Sequence, residues 1–291
     1  MQHLNRHGST IFSLLFIAAI LLSFEIINPE NTDMSIVKGG TLTTTDPVTR
    51  KTIQVKLKSF LIDKDLVTVS DFEAFVKATN YKTEAERFGD AGVFDEEKHG
   101  WELVEGANFR YPFGKDKPKA VGNHPVTQVS WNDAVAFAKW KGKRLPTQWE
   151  WEHAAKNAEN AAQQYTWGDD LVVGGKYKAN TWQGSFPNYN TKEDGFAYTS
   201  PVGVFGKNKL GLTDMGGNVW QWTQDSIEPQ GREAEMDPGT RRVTRGGSFL
   251  CDPMVCHGFQ VTGRSSSTPE SSMAHIGFRC AKDVEPVKNE K

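Results

Sequence analysis

Hydrophobic and polar positions along this chain fall into short runs, and few of them keep one period for long. The first, Ile11 to Phe24, is predominantly apolar and follows His3, Arg6 and His7. A terminal apolar run behind positive charge reads as an export signal. The run is shorter than the roughly 20 residues that span a bilayer, which favours a signal peptide over an anchor. No A-x-A-like cleavage site follows it, so an uncleaved membrane anchor stays open. Residues 1–32 are set apart on this ground, and the product is expected to be exported, periplasmic or secreted. Beyond them, Ile36 to Leu42 and Thr52 to Leu57 predict strands. In the second, Ile53, Val55 and Leu57 alternate with polar residues, the period of a half-buried strand. Three capping boxes announce helices: Ser70 with Glu73, Ser130 with Asp133, and Thr147 with Glu150. The first helix would bury Phe72, Phe75 and Val76, and the others run through Ala134–Trp140 and Trp151–Lys156.

Turns dominate the rest, as at Phe88-Gly-Asp-Ala-Gly, Gly106-Ala-Asn, Gly184-Ser-Phe-Pro and Gly216-Gly-Asn. From Trp182 onward only short strand candidates remain, among them Arg242 to Thr244 and Ser248 to Leu250. No repeat or low-complexity stretch divides the chain, which predicts one domain over 33–283 and a charged, frayed tail over 284–291. With 27 Gly, 13 Pro and 9 Trp, the expected class is an irregular α+β domain, turn-rich and built on large aromatic rings. A formal charge of −2 gives no broad basic surface, so a nucleic-acid partner is not expected.

The three cysteines, Cys251, Cys256 and Cys280, all lie in the last quarter of the chain. An odd count in an exported protein leaves at least one thiol unpaired. Cys251 and Cys256 are five apart, which in a strand points them to opposite faces. Asp252-Pro253 supplies a break, and a turn there would hold both thiols beside Ser248. Three readings compete for the pair: a structural disulfide, a zinc site completed by His257 and His275, and a soft Cu(I) site left open for a third sulfur.

Longer motifs now bear on the choice. Gly216-Gly-Asn followed by Val219-Trp-Gln-Trp-Thr, then Arg245-Gly-Gly-Ser-Phe, then Gly277-Phe-Arg-Cys, resemble the sulfatase-modifying-factor family in order. Thr83-Glu-Ala-Glu-Arg-Phe-Gly-Asp, His124-Pro-Val-Thr-Gln-Val-Ser-Trp-Asn-Asp-Ala and Gly142-Lys-Arg-Leu-Pro-Thr-Gln-Trp-Glu-Trp-Glu extend the likeness, which runs from Ser35 to Asp283. It implies an irregular variant of the C-type-lectin-like fold. Catalytic members of that family, the formylglycine-generating enzymes, carry Ser-x-x-Cys-x-x-x-x-Cys, matched here by Ser248, Cys251 and Cys256. By that resemblance the two cysteines ligate Cu(I) and a cysteine of an unfolded or nascent sulfatase, in a Cys-x-Pro-x-Arg-like motif, joins them. Dioxygen with a thiol reductant then yields formylglycine, the protein acting as a monomer. Ser248 and Trp220 match the oxygen-side pocket, although Trp220 reads equally as core. Arg264 matches an arginine of the substrate groove, with a surface salt bridge as the plainer reading. A non-catalytic, membrane-tethered binding or assembly protein of the same fold remains the alternative.

The same resemblance implies two calcium sites, since hard cations take the oxygens of Asn/Asp/Gly-rich loops. Asn180, Thr181, Asp194 and Phe196 match the first. Asp214, Gly217, Val219 and Gln221 match the second, where the family commonly has asparagine at the first position and glutamate at the last. Metal-free Asx-rich turns are the alternative at both. Cys280 lacks its usual disulfide partner near Ala155, and Val261 replaces another cysteine, so Cys280 is expected to be a free thiol. Asp252-Pro-Met-Val and Gly258-Phe-Gln also depart from the family pattern.

Overall fold

The structure is a computed structural model that describes residues 33–227 and 239–285. The Ile11–Phe24 run and the tail from Pro286 lie outside them. Four short helices occur among the described residues: α1 (Val69–Thr79), α2 (Glu84–Phe88), α3 (Trp131–Trp140) and α4 (Gln148–Ala155). Each opens with a reciprocal capping box, in which a Thr or Ser hydroxyl accepts the N3 amide while the N3 carboxylate accepts the cap amide. The boxes at Ser130/Asp133 and Thr147/Glu150 are those the sequence predicts. On α1 the box is Thr68/Asp71, two residues before the expected Ser70/Glu73. Both pairs satisfy the motif, and packing decides between them. Starting at Thr68 carries Val69 into the core on the same face as Phe72, Phe75 and Val76. α2, capped by Thr83 and Glu86, is an addition to the three helices expected, too short to show a periodic stripe.

The predicted strand over Ile36–Leu42 is two strands. Met34–Val37 pairs with Phe60–Asp63, and after Gly39 the chain changes partner, so that Gly40–Thr45 pairs antiparallel with Thr52–Leu57. Ala281–Asp283 adds to the other edge of Phe60–Asp63, joining the two ends of the domain in one sheet. A four-stranded sheet positions the site. Its order is Arg264–Ser267, Arg241–Arg245, Trp220–Ile227, Ile276–Gly277, with the last pairing parallel. Ser248–Leu250, expected as a strand, is a turn. Gly246 and Gly247 precede it at φ 95 and 67, and a Cβ at Gly247 would stand 2.6 Å from the Phe259 amide nitrogen. The ladder therefore ends at Arg245.

Aromatic rings fill the main core. Phe72 meets Phe75, Phe109 and Phe278 edge-on and stacks on Phe137, while Trp151, Trp182 and Trp222 are fully buried. Their polar edges are used where partners exist: the Trp222 Nε1–H donates to the Val129 carbonyl at 3.0 Å. Buried charge is concentrated at Glu152, whose carboxylate accepts from Lys156 and Arg245 at 2.8 Å each and from Thr44 at 2.5 Å. Cys280 is buried and free, and burial pushes its thiol well up.

Candidate active site

Past the end of the Arg241–Arg245 strand the chain makes two tight turns. The Ser248 carbonyl accepts the Cys251 N–H at 2.9 Å. The Asp252 carbonyl accepts the amides of Val255 at 3.0 Å and Cys256 at 2.7 Å, and its carboxylate takes those of Met254 at 2.8 Å and Phe186 at 3.1 Å. The Asp252-Pro253 break thus folds the chain back on itself. It brings the Cα atoms of Cys251 and Cys256 to 5.0 Å, with the sulfurs joined as a disulfide. Each sulfur also accepts a backbone N–H at 3.4 Å, Cys251 from Ser248 and Cys256 from Gly258. Once the bond is reduced, those two dipoles favour negative charge on sulfur.

The pair forms one wall of a cavity of about 220 Å³ that Ser248 and Trp220 also line. Cys251 is buried and Cys256 is partly exposed. Opposite stand Phe94 and Trp101 of the Asp90–Asp95/Gly100–Glu105 hairpin, with Phe186 and His275. These four come from distant segments, and no local motif marks them; His275 enters the sequence reading only as a zinc candidate. Its ring lies 4.5 Å from that of Trp101, its Nδ1 is buried without a partner, and burial lowers its pKa to about 3. The imidazole is therefore neutral at physiological pH. His257 is exposed, and no group of three or more His, Cys, Asp or Glu that could hold a metal forms among the described residues. That removes the four-ligand zinc reading. The two sulfurs of the pair suit a soft monovalent ion with an open position.

Gly258 packs against the Trp220 indole. A Cβ there would run into the Trp220 indole and stand 3.2 Å from Cys256 Sγ. Gly258→Ala is expected to displace the indole and cost about 1–3 kcal/mol, as overpacking does. A lower melting temperature with a changed tryptophan emission spectrum would register it; an unchanged spectrum would mean that the ring does not rest on Gly258.

Arg264 lies away from the cavity lining. Its guanidinium stands 3.4 Å from Glu152, 3.3 Å from Gln148 Oε1 and 5.0 Å above the Trp149 ring. A wider groove of about 720 Å³ over α1, between Glu73, Tyr81 and Arg110, holds no thiol or histidine.

The two loops matched to calcium differ. In the first, the Asp194 carboxylate accepts the amides of Thr181 at 3.0 Å and Phe196 at 2.9 Å, and Gln183 Nε2 at 2.8 Å. Asn180 donates through Nδ2 to the Tyr198 carbonyl at 2.8 Å, while its buried Oδ1 has no partner. An orphaned buried oxygen in a loop that also holds a half-buried carboxylate fits a hard cation. In the second loop every side-chain oxygen is taken. The Asp214 carboxylate accepts from Gly203 N–H at 2.7 Å and Asn218 Nδ2 at 3.2 Å, and Gln221 is bonded on both sides of its amide. That loop does not fit a cation.

Comparison with known proteins agrees with the likeness seen in the motifs. The model of the sulfatase-modifying factor enzyme 1-like domain matches residues 24–284. A formylglycine-generating enzyme of Streptomyces coelicolor is 45% identical over 253 residues, covering 79% of this chain and 80% of that protein. An inactive C-alpha-formylglycine-generating enzyme 2 of Mus musculus is 38% identical over 249 residues, covering 79% and 77%. In fold, the structure of PvdO from Pseudomonas aeruginosa superposes with a TM-score of 0.60 at 23% identity, covering 86% of this chain and 94% of that one. By a family match over nearly its whole length, the chain belongs to the sulfatase-modifying factor enzyme 1-like family.

Proposed function

We propose that this protein oxidises a cysteine of sulfatase polypeptides to formylglycine, with Cys251 and Cys256 in their reduced form as the reacting centre. Family membership alone does not decide this, because relatives with active and inactive names both match. The observation that carries the reading is the cavity: two sulfurs converge beside Ser248 and Trp220, walled by Phe94, Trp101 and Phe186. Cys251 and Cys256 would hold Cu(I), which supplies one-electron chemistry with dioxygen that side chains lack. Around it, the aromatic rings exclude water and the two backbone amides hold charge on the sulfurs. Trp101 also lines an adjoining groove of about 600 Å³ with Leu103, Glu270 and Met273, room for an extended peptide beside the cavity. The reaction balances as one cysteine thiol, one dioxygen and two hydrogen equivalents from a thiol reductant giving one aldehyde, one hydrogen sulfide and one water. The same reductant opens the Cys251–Cys256 bond. Asn180, Thr181, Asp194 and Phe196 would bind calcium, on the strength of the orphaned Asn180 oxygen. The apolar run Ile11–Phe24 behind Arg6 supports export of the protein, with the leader either removed or kept as an anchor.

The bonded state of the pair favours a second reading, a structural disulfide in a non-catalytic member of the family. A Cu(I) titration of the reduced protein separates the two. One equivalent is expected to bind with a thiolate-to-copper absorption, and none with that absorption in Cys251→Ser or Cys256→Ser. Failure of the reduced protein to bind copper would sink the oxidase reading.

A further inference from the structure

The second loop matched to calcium carries a different device, centred on Gln221 and Arg279. Both side chains are fully buried. Gln221 Oε1 accepts from Trp151 Nε1 and from Arg279 Nε, each at 2.8 Å. An indole and a guanidinium only donate, so the amide has one possible orientation, and its Nε2 faces the Asp214 carbonyl at 2.8 Å. Arg279 spends its remaining donors on carbonyls: Asp63 and Lys64 at 3.0 Å each, Thr213 at 2.6 Å and Asp214 at 3.4 Å. Positive charge is therefore already present among the oxygens of this loop, and the donors to them are N–H groups.

We propose that Gln221 and Arg279 form a metal-free clamp that replaces a calcium ion at the Asp214–Gln221 loop. A divalent ion entering here would have to break the Gln221-to-Asp214 bond, and no carboxylate at position 221 would offset the charge of the buried Arg279 beside it. The commoner glutamate at this position would turn one oxygen to Trp151 and Arg279 and the other toward the Asp214 carbonyl. Two oxygens would then face each other, an arrangement that needs a cation between them. The amide removes that need by offering a hydrogen in place of the ion. Because Gln221 neighbours Trp220, the clamp makes the strand entering the active cavity independent of calcium. The inference stands apart from the oxidase reading, since it concerns the loop alone.

Calcium itself is the probe, with the full chain stripped by EGTA, dialysed against calcium and assayed by elemental analysis. The native chain is expected to hold one calcium per molecule, lost in Asp194→Ala and kept in Asp214→Asn. Gln221→Glu, purified in calcium, is expected to hold one more than the native chain, and its melting temperature is expected to fall further on chelation than the native one does. Two calcium ions in the native chain, the second lost in Asp214→Asn, would overturn the clamp, as would a Gln221→Glu protein that gains none. A native chain with no calcium supports the clamp and sinks only the assignment at Asn180.

Discussion

Serine at either Cys251 or Cys256 is expected to lower kcat/KM for aldehyde formation by more than about 10³-fold, beyond the 10–100-fold loss typical of removing a group that only supports a metal ligand. The fold should survive. The Ser248 and Asp252 carbonyls hold the turns through backbone amides, and the disulfide closes a sequence separation of only five, so little chain entropy is lost with it. The expectation therefore joins inactivity to a native circular-dichroism spectrum. A structural disulfide in a non-catalytic protein predicts no aldehyde formation by the native chain, and so no activity to lose in the variant. Kinetics on the native chain and the variant distinguish the two.

Glu152→Gln is expected to cost about 3–5 kcal/mol, the range for breaking a buried ion pair, and so to lower the melting temperature by about 6–20 °C. The side chain is fully buried and is the carboxylate that faces Arg245, Lys156 and Arg264 at once. It links α4 to two strands of the sheet that carries the site. An amide there keeps the shape and removes the charge, leaving buried cations uncompensated. Burial alone would raise the Glu152 pKa, but the Arg245 and Lys156 charges outweigh it and hold the carboxyl below its ordinary 4.5. A depressed carboxylate stabilises above its unfolded-state value and loses that contribution as pH falls through the folded one. The gap in melting temperature between native and variant should accordingly be full at pH 7 and shrink once the pH is well below 4.5. A gap that stays constant into acid would mean that packing, not charge, holds α4.

Local rules carried a reader of the sequence a long way in this fold, and where they stopped is informative. Capping boxes located α3 and α4 because the motif and the apolar stripe coincide there. On α1 two overlapping boxes fit, and burial of Val69 chose between them. The strand read through Gly39 failed because a glycine let the chain exchange one partner for another, a choice made by tertiary pairing. At the site, the Asp252-Pro253 break foretold that the thiols would meet beside Ser248. Phe94, Trp101 and Phe186 were silent, and His275 entered only as a zinc candidate, since only the fold brings their segments to the cysteines. The Asp214 loop shows the same limit from the other side. Its residue types resemble a calcium site, and the buried Arg279 that donates to its Thr213 and Asp214 carbonyls sits far along the chain in a motif that says nothing of its neighbours.

Mass spectrometry of a Cys-x-Pro-x-Arg peptide incubated in air with the reduced, copper-loaded protein and a thiol reductant tests the central claim most directly. The account predicts conversion of the peptide cysteine to an aldehyde that a hydroxylamine reagent captures, with none when dioxygen is withheld or when Cys251→Ser replaces the native chain. Recovery of the peptide unchanged, from protein shown to hold its copper, would contradict it.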